Sequence, residues 1–151
     1  MSEDSNKIRI LIVDDHAGMR DGVRALISTQ PDMEVIGEAE NGADAILQFK
    51  KLRPDVSLID FNLPITCGAD VIAGVRKEFP AAHCLVITAV TDDDCIRQSL
   101  SAGALGFLHK DRLRRELAAA IRAVHKGQQY FPEEIMNQLK NTINFKSNLG
   151  G

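Results

Sequence analysis

The side chains of this sequence that could carry out chemistry stand directly after short apolar runs. They are three carboxylates, one hydroxyl and one ammonium group: Asp14, Asp15, Asp60, Thr88 and Lys110. If the apolar runs are parallel strands of one sheet, all five groups emerge at the same carboxyl edge. Carboxylates suit a divalent cation, and the hydroxyl and ammonium groups suit phosphoryl oxygens. The pattern therefore indicates a cation that holds a phosphoryl group beside a nucleophilic aspartate.

Strands that alternate with helices are predicted to position these groups. The five predicted strands are apolar runs, namely Ile8–Val13, Val35–Ala39, Val56–Ile59, Cys84–Ile87 and Gly106–Leu108. After each strand, apolar residues recur at helical spacing, as from Leu113 to Val124. The strand runs lack strict alternation, which is typical of parallel sheets covered on both faces. The predicted fold class is α/β, with a five-stranded parallel sheet and helices on both faces.

Composition limits the classes of protein to consider. The chain has 151 residues, enough for one ordinary domain and a tail, and a formal charge of −3 from 18 basic and 21 acidic side chains. This balance does not favour general binding to nucleic acids or membranes. The polar start is unlike a signal peptide, and no apolar run has membrane-spanning length. Three cysteines without C-x-x-C spacing indicate reduced thiols, so we expect a cytoplasmic protein.

Several strings carry a resemblance to a known family. LIVDDH, LIDFNLP, VIT and GFLHKD resemble the receiver domain of bacterial two-component response regulators. GEAENGADAI, RPDV and AIRAVHKGQQYFPEEI are similar to the NarL/FixJ (LuxR-type) subfamily in particular. The resemblance implies a flavodoxin-like receiver fold with strand order 2-1-3-4-5. Receivers are a standard example of this strand order. The predicted organisation is a disordered start (1–6), a receiver domain (7–127), a linker helix (128–145) and a disordered tail (146–151).

The resemblance also implies roles for individual residues. Asp60 matches the phosphoacceptor, which takes a phosphoryl group from the phosphohistidine of a sensor histidine kinase. The implied Mg²⁺ ligands are the carboxylates of Asp14, Asp15 and Asp60 and the backbone carbonyl of Asn62, with Asp15 bound more directly than Asp14. Such a protein is a phosphoacceptor with Mg²⁺-dependent self-phosphorylation and autodephosphorylation, and it is not an enzyme in the ordinary sense.

A switch is implied by three of the matched positions. Thr88 and Lys110 match the groups that contact the phosphoryl oxygens, and Phe107 matches the aromatic residue that turns inward when Thr88 moves. The resemblance implies a homodimer on phosphorylation and an output on transcription. Val90 and Asn62 flank the approach to the acyl phosphate, so we expect this pair to affect dephosphorylation.

The end of the sequence departs from the family pattern, because NarL/FixJ regulators continue into a helix-turn-helix domain. Here Pro132 and Glu133-Glu134 predict the start of a sixth helix, and Ile135, Leu139 and Ile143 form a narrow apolar stripe typical of a linker or dimer helix. A regulator cut before its DNA-binding domain is favoured over a natural stand-alone receiver. Contact with DNA is expected only through that missing domain, and none is expected with membranes.

Other functions remain as alternatives. A phosphohydrolase of the haloacid dehalogenase type would need Asp-x-Asp, but Asp60-Phe61-Asn62 lacks the second acid. A flavodoxin-like nucleotide binder would need a phosphate-cradling loop after the first strand, where Asp14 and Asp15 would repel phosphate. A degenerate receiver that serves only protein contact is the strongest competitor, and the intact set of polar groups argues against it.

Some conspicuous residues have simpler explanations. Loop or surface placement accounts for His16 and His109 without a catalytic role, and Asp92-Asp93-Asp94 is typical of a helix start rather than a second metal site. Basic side chains lie in and beside the fifth predicted helix, which carries Leu113 to Val124. They form either a solvated face or a docking surface, and the solvated face is favoured. These side chains are Arg112, Arg114, Arg115, Arg122 and Lys126.

Overall fold

The computed structural model describes residues 6–90, 92–131, 133 and 135–137. Strands and helices alternate along the chain, with a short 3-10 turn (Lys110–Arg112) after the last strand. The strands are β1 (Ile8–Val13), β2 (Met33–Ala39), β3 (Val56–Asp60), β4 (Cys84–Thr88) and β5 (Gly106–His109). The helices are α1 (Ala17–Ser28), α2 (Gly42–Leu52), α3 (Gly68–Glu78), α4 (Asp93–Ala102) and α5 (Leu113–His125).

All strand pairs in the sheet are parallel, and the order is β2-β1-β3-β4-β5. The predicted fold class and strand order are therefore confirmed. The register aligns the carboxyl ends of the strands, since Val13 lies opposite Ile59 and Thr88 lies opposite His109. The polar residues that end these strands consequently share one edge of the sheet.

Two apolar clusters cover the two faces of this sheet. One cluster includes Phe49, Ile72 and Ile96, from α2, α3 and α4. The other includes Val23 and Ile27 from α1 and Leu117 and Ile121 from α5. Because helices cover both faces of the sheet, side chains on both sides of each strand are buried and mostly apolar. This burial explains why apolar and polar residues do not alternate along the strands in the sequence.

The strands differ slightly from the apolar runs that predict them. β3, β4 and β5 each run one residue further, so that Asp60, Thr88 and His109 are the last residues of their strands. β2 begins at Met33, which pairs with Ile8, two residues earlier than the sequence predicts. Apolar patterns miss such residues because strand pairing depends on backbone hydrogen bonds, which polar residues also form.

Helix starts agree with the capping residues in the sequence. Asn41 accepts a hydrogen bond from the amide of Asp44 and caps α2, and Asp92 accepts one from the amide of Cys95 and caps α4. The run of aspartates therefore lies at the start of α4, as predicted, with Asp93 and Asp94 in its first turn.

The segment after α5 returns to the edge of the sheet. Tyr130 forms a parallel bridge with Gly106, its amide donates to the carbonyl of Leu105, and its carbonyl accepts from the amide of Phe107 at 3.0 Å. The Tyr130 hydroxyl donates to Glu116 at 2.6 Å, and burial with this neighbour raises the pKa of Tyr130 to about 12. Ile135 is buried in the α4-side cluster. This part of the chain therefore packs on the domain.

The predicted linker helix is only partly described. Glu133 and residues 135–137 are helical. Pro132, Glu134, Leu139 and Ile143 lie outside the described residues, as do the predicted tail 146–151 and residues 1–5 of the predicted disordered start. No helix within the described part of the chain combines the length and apolarity needed to span a lipid bilayer.

Candidate functional site

The carboxyl edge of the sheet brings together acidic and basic side chains from distant parts of the sequence. Asp14 follows β1, Asp60 ends β3, and Lys110 follows β5. The ammonium nitrogen of Lys110 lies 3.3 Å from Asp14 Oδ2 and 3.4 Å from Asp60 Oδ2. Lys110 is 96 positions from Asp14 and 50 positions from Asp60 in the sequence, and the fold brings the three residues into one charged cluster.

Asp60 is the most enclosed acid of the cluster, with 3% of its surface exposed. Its Oδ1 accepts a hydrogen bond from the amide of Asn62 at 3.1 Å, and its Oδ2 faces Lys110. Burial raises the pKa of Asp60 above its ordinary value, and the charge of Asp14 acts in the same direction. The Asn62 amide and Lys110 oppose this shift. A further positive charge would therefore favour the ionised, nucleophilic form.

Asp14 and Asp15 supply the other carboxylates. Asp14, 4% exposed, accepts a hydrogen bond from the amide of His16 at 2.9 Å. Asp15 is half-buried, and its Oδ1 is enclosed without a hydrogen bond from the described residues. An enclosed carboxylate oxygen without a donor is costly unless a cation faces it.

These groups fit a divalent cation. Ligand atoms of Asp14, Asp15, His16 and Asp60 lie within 4.8 Å of one another. The cluster holds three carboxylates and one lysine, which faces Asp14 and Asp60, so it carries excess negative charge that a cation would balance. Asn62, whose carbonyl is the fourth predicted ligand, lies beside the cluster through its amide contact with Asp60.

Thr88, the last residue of β4, and Phe107, in β5, are both fully buried. The Thr88 hydroxyl accepts a hydrogen bond from the amide of Val90 at 3.0 Å. It also bonds with the Cys95 thiol, whose pKa is raised to about 12 chiefly by burial. Phe107 lies opposite Val86 in the sheet and belongs to the α4-side cluster, so its ring already occupies the inward position. Cys95 is therefore a neighbour of the predicted switch hydroxyl.

The loop after β3 packs tightly against the phosphoacceptor candidate. The amide of Gly68 donates to the carbonyl of Phe61 at 2.7 Å. A Cβ atom on Gly68 would lie 2.5 Å from the carbonyl oxygen of Asp60, a distance that forces the backbone to move. Glycine at this position thus lets the start of α3 approach Asp60.

Arg20 is a site residue that the sequence reasoning missed. Its guanidinium donates to the backbone carbonyl of Asp14 at 2.6 Å and to Glu38 at 3.0 Å, and Arg24 bonds to the same glutamate. It therefore joins α1 and β2 to the loop that carries the acidic pair. The sequence signal that could have indicated this role is Glu38. It lies near the carboxyl end of β2, and β2 is next to β1 in the predicted strand order, so an acid there is close to the loop after β1.

Comparison with known proteins agrees with this geometry. Residues 10–122 match the model of the response regulator receiver domain. This chain belongs to the response regulator receiver family. Response regulator protein VraR of Staphylococcus aureus (strain Mu3 / ATCC 700698) is 30% identical over 142 residues, which cover 94% of this chain and 68% of VraR.

Solved structures of receivers share the fold. A LuxR-family two-component response regulator from Aurantimonas sp. SI85-9A1 is 29% identical, with a TM-score of 0.86, and the match covers 90% of this chain and 97% of that one. The receiver domain of NarL from Mycobacterium tuberculosis is 37% identical, with a TM-score of 0.78 and coverage of 82% and 99%. The predicted family and its LuxR-type relatives are therefore confirmed.

The structure also places the secondary features of this receiver. His109 lies at the end of β5, where its ring contacts the carbonyl of Ala89. Arg112, in the 3-10 turn before α5, pairs with Glu116. On α5, Arg122 holds Asp32 with contacts of 2.9 Å and 3.0 Å. This pair lowers the pKa of Asp32. Part of the basic face is thus bound within the domain. Cys67, Cys84 and Cys95 are free thiols.

Proposed function

We propose that Asp60 accepts a phosphoryl group from the phosphohistidine of a sensor histidine kinase. The observation that carries this proposal is the convergence of Asp14, Asp60 and Lys110 at the carboxyl edge of the sheet. Asp60 is enclosed but lies at the end of its strand, where a donor can approach the carboxylate. Phosphoryl transfer depends mainly on positioning and charge neutralisation, and this cluster supplies both.

The metal in this proposal is Mg²⁺, held by the carboxylates of Asp14, Asp15 and Asp60 and by the backbone carbonyl of Asn62. The enclosed Oδ1 of Asp15 and the raised pKa of Asp60 support it, because both indicate negative charge that lacks a full counter-charge. When bound, the cation would neutralise the carboxylates and the incoming phosphoryl oxygens. A carboxylate oxygen of Asp60 bonds to phosphorus as the phosphorus–nitrogen bond to the kinase histidine breaks and the imidazole leaves, while Lys110 stabilises the phosphoryl oxygens. Self-phosphorylation and autodephosphorylation are parts of the same proposal.

The switch starts at Thr88. New phosphoryl oxygens draw the Thr88 hydroxyl away from the amide of Val90 and from Cys95. This movement changes the space beside Phe107, which bonds through its amide to Tyr130. The response is a population shift between two packings, biased by contacts that only the phosphorylated state makes. The segment after α5 is the element next to this change.

The biological output belongs to the same proposal. Phosphorylation promotes a homodimer, and the output is transcription through a DNA-binding domain outside this sequence, in the cytoplasm. The domain limits are also part of this proposal, with a receiver in 7–127 followed by a linker whose first residues pack on the receiver. A degenerate receiver that only binds proteins is not favoured, because it has no need of an intact charged cluster.

The test is intact mass spectrometry after incubation with Mg²⁺ and phosphoramidate, whose phosphorus–nitrogen bond resembles that of phosphohistidine. We expect one phosphoryl adduct that requires Mg²⁺ and disappears in Asp60→Asn. Asp70→Asn, which removes an exposed acid from α3, is the matched control and should keep the adduct. An adduct that persists in Asp60→Asn, or its absence from the native protein, would contradict the proposal.

A further inference from the structure

His16 lies beside the acidic pair although the sequence gives it no role. Its Nδ1 atom is 3.2 Å from Asp14 Oδ1 and 3.0 Å from Asp15 Oδ1. The side chain is 68% exposed, so the ring does not fill the core. His16 occupies the N-cap position of α1, but its side chain caps no amide of that helix. The imidazole is turned toward the carboxylates, and its Nδ1 atom forms a hydrogen bond with Asp14 Oδ1. Neither core packing nor helix capping accounts for this orientation.

The contact between His16 and Asp15 is unusual for a hydrogen bond. Asp15 Oδ1 is enclosed, and the nearby imidazole nitrogen does not satisfy it with acceptable hydrogen-bond geometry, so it stays without a donor among the described residues. Two polar atoms at this separation, without a hydrogen bond between them, have the arrangement of two ligands of one cation. A cation between them would compensate the enclosed oxygen.

The separations of these atoms agree with metal coordination. Neighbouring ligands of an octahedral ion with bonds of about 2.1 Å lie about 3 Å apart. The imidazole nitrogen lies 3.0 Å and 3.2 Å from the two carboxylate oxygens, and Asp60 offers a ligand atom within the same 4.8 Å cluster. The imidazole nitrogen thus lies at the spacing of a neighbouring ligand from both carboxylate oxygens.

We infer that His16 is an additional ligand of the divalent cation at this site, and that it shifts the preference of the site from Mg²⁺ toward a first-row transition-metal cation such as Mn²⁺. The inference rests on the proposed function, because it uses the same cation site. Mg²⁺ prefers oxygen ligands and keeps its waters, whereas imidazole suits transition metals. The nitrogen of His16 therefore adds affinity for Mn²⁺ and little for Mg²⁺.

The experiment detects the nitrogen ligand directly. Electron spin-echo envelope modulation is recorded for the Mn²⁺-loaded protein at one fixed pH, with and without histidine labelled with a nitrogen isotope. We expect histidine nitrogen modulation that disappears in His16→Ala and persists in His125→Ala, which removes an exposed histidine from the end of α5. In competition experiments, His16→Ala should lower the affinity for Mn²⁺ about tenfold and that for Mg²⁺ by less.

The outcomes separate this inference from the proposed function. In one outcome, Mn²⁺ binds and its binding depends on Asp15, but the native protein shows no histidine nitrogen modulation. This result would overturn the role of His16 and leave the cation site intact. Asp15→Asn provides that control. If Mn²⁺ does not bind the native protein, or binds equally well to Asp15→Asn, both the ligand role and the cation site of the proposed function fail.

Discussion

The carboxylates of Asp14 and Asp60 are held in the same way. In each, Oδ1 accepts a hydrogen bond from the backbone amide two residues further along the chain, at 2.9 Å from His16 and 3.1 Å from Asn62. In each, Oδ2 faces the ammonium group of Lys110, at 3.3 Å and 3.4 Å. The local turns thus fix the orientation of both acids, and one lysine joins them across the sheet.

Loss of Lys110 is expected to separate cation binding from phosphorylation. Lys110→Met leaves a more negative cluster, so the affinity for Mg²⁺ should increase, while the pKa of Asp60 rises further without metal. The phosphorylation rate at saturating Mg²⁺ should fall about 100-fold, because the donor to the phosphoryl oxygens is lost. Titration calorimetry and the rate of adduct formation measure the two effects. Lys50→Met, which removes an exposed partner of Glu78, is the control. Weaker Mg²⁺ binding in Lys110→Met would refute this prediction.

The contribution of Asp60 to the stability of the metal-free protein is expected to fall as pH rises above about 4, the ordinary range for carboxyl groups. Burial raises the pKa of Asp60, so between its ordinary and raised values the folded chain binds more protons than the unfolded chain. By linkage, the contribution of Asp60 to the free energy of unfolding decreases with pH across that window and stays low above it. Asp60→Asn should therefore gain stability relative to the native protein as pH increases.

Thermal unfolding in a chelator, from pH 4 to 8, measures this difference. Added Mg²⁺ should remove much of it by stabilising only the native protein. Asp70→Asn on the surface of α3 provides the comparison for simple charge loss. A difference between the native protein and Asp60→Asn that is constant with pH would show that the Asp60 carboxyl is not shifted upward.

Ile135 is expected to contribute to the stability of the receiver. It is buried in the α4-side cluster, so Ile135→Ala should lower the free energy of unfolding by about 2–5 kcal/mol. Asn137→Ala, an exposed position in the same segment, should change it by less than about 0.5 kcal/mol. Urea unfolding compares the two variants. Equal and small effects would mean that the segment after Tyr130 does not pack as the structure shows.

Val90 is expected to affect the lifetime of the phosphoryl group. Its side chain is 48% exposed, and its amide donates to the Thr88 hydroxyl. We expect it to flank the approach to Asp60. Val90→Glu places a carboxylate where it can orient an attacking water, and the lifetime should shorten several-fold. Decay of the adduct is followed by mass spectrometry, with Leu47→Glu on the exposed face of α2 as the control. An unchanged lifetime in Val90→Glu would remove this role.

The sequence predicted much of the fold and the site for one geometric reason. Parallel strands end at a common edge, so a polar residue after each apolar run must lie near the others. That argument places Asp14, Asp60 and Lys110 together without knowledge of any distance, and the structure brings the three within reach of one ammonium group. Helix caps such as Asn41 and Asp92 were also predictable, since capping depends on neighbouring residues.

Other features depend on contacts that no local pattern encodes. The pairing of Tyr130 with β5 connects an irregular segment to a strand edge, and its sequence gives no strand signal. Arg20 is spaced as an ordinary exposed residue of α1, and only the approach of Glu38 and the Asp14 carbonyl shows its function. His16 neighbours both acids in the sequence, but residue order alone does not fix the ring orientation that brings its nitrogen within 3.2 Å of both.

The chemical identity of residue 60 after phosphorylation tests the central claim most directly. A phosphoryl group on the Asp60 carboxylate is an acyl phosphate, which borohydride reduces so that the aspartate becomes homoserine. The protein would be treated with Mg²⁺ and phosphoramidate, reduced, digested and sequenced by mass spectrometry. The account predicts homoserine at position 60, dependent on both Mg²⁺ and donor. Homoserine at Asp14 or Asp15 instead, or a phosphoryl adduct that yields no homoserine at all, would contradict it.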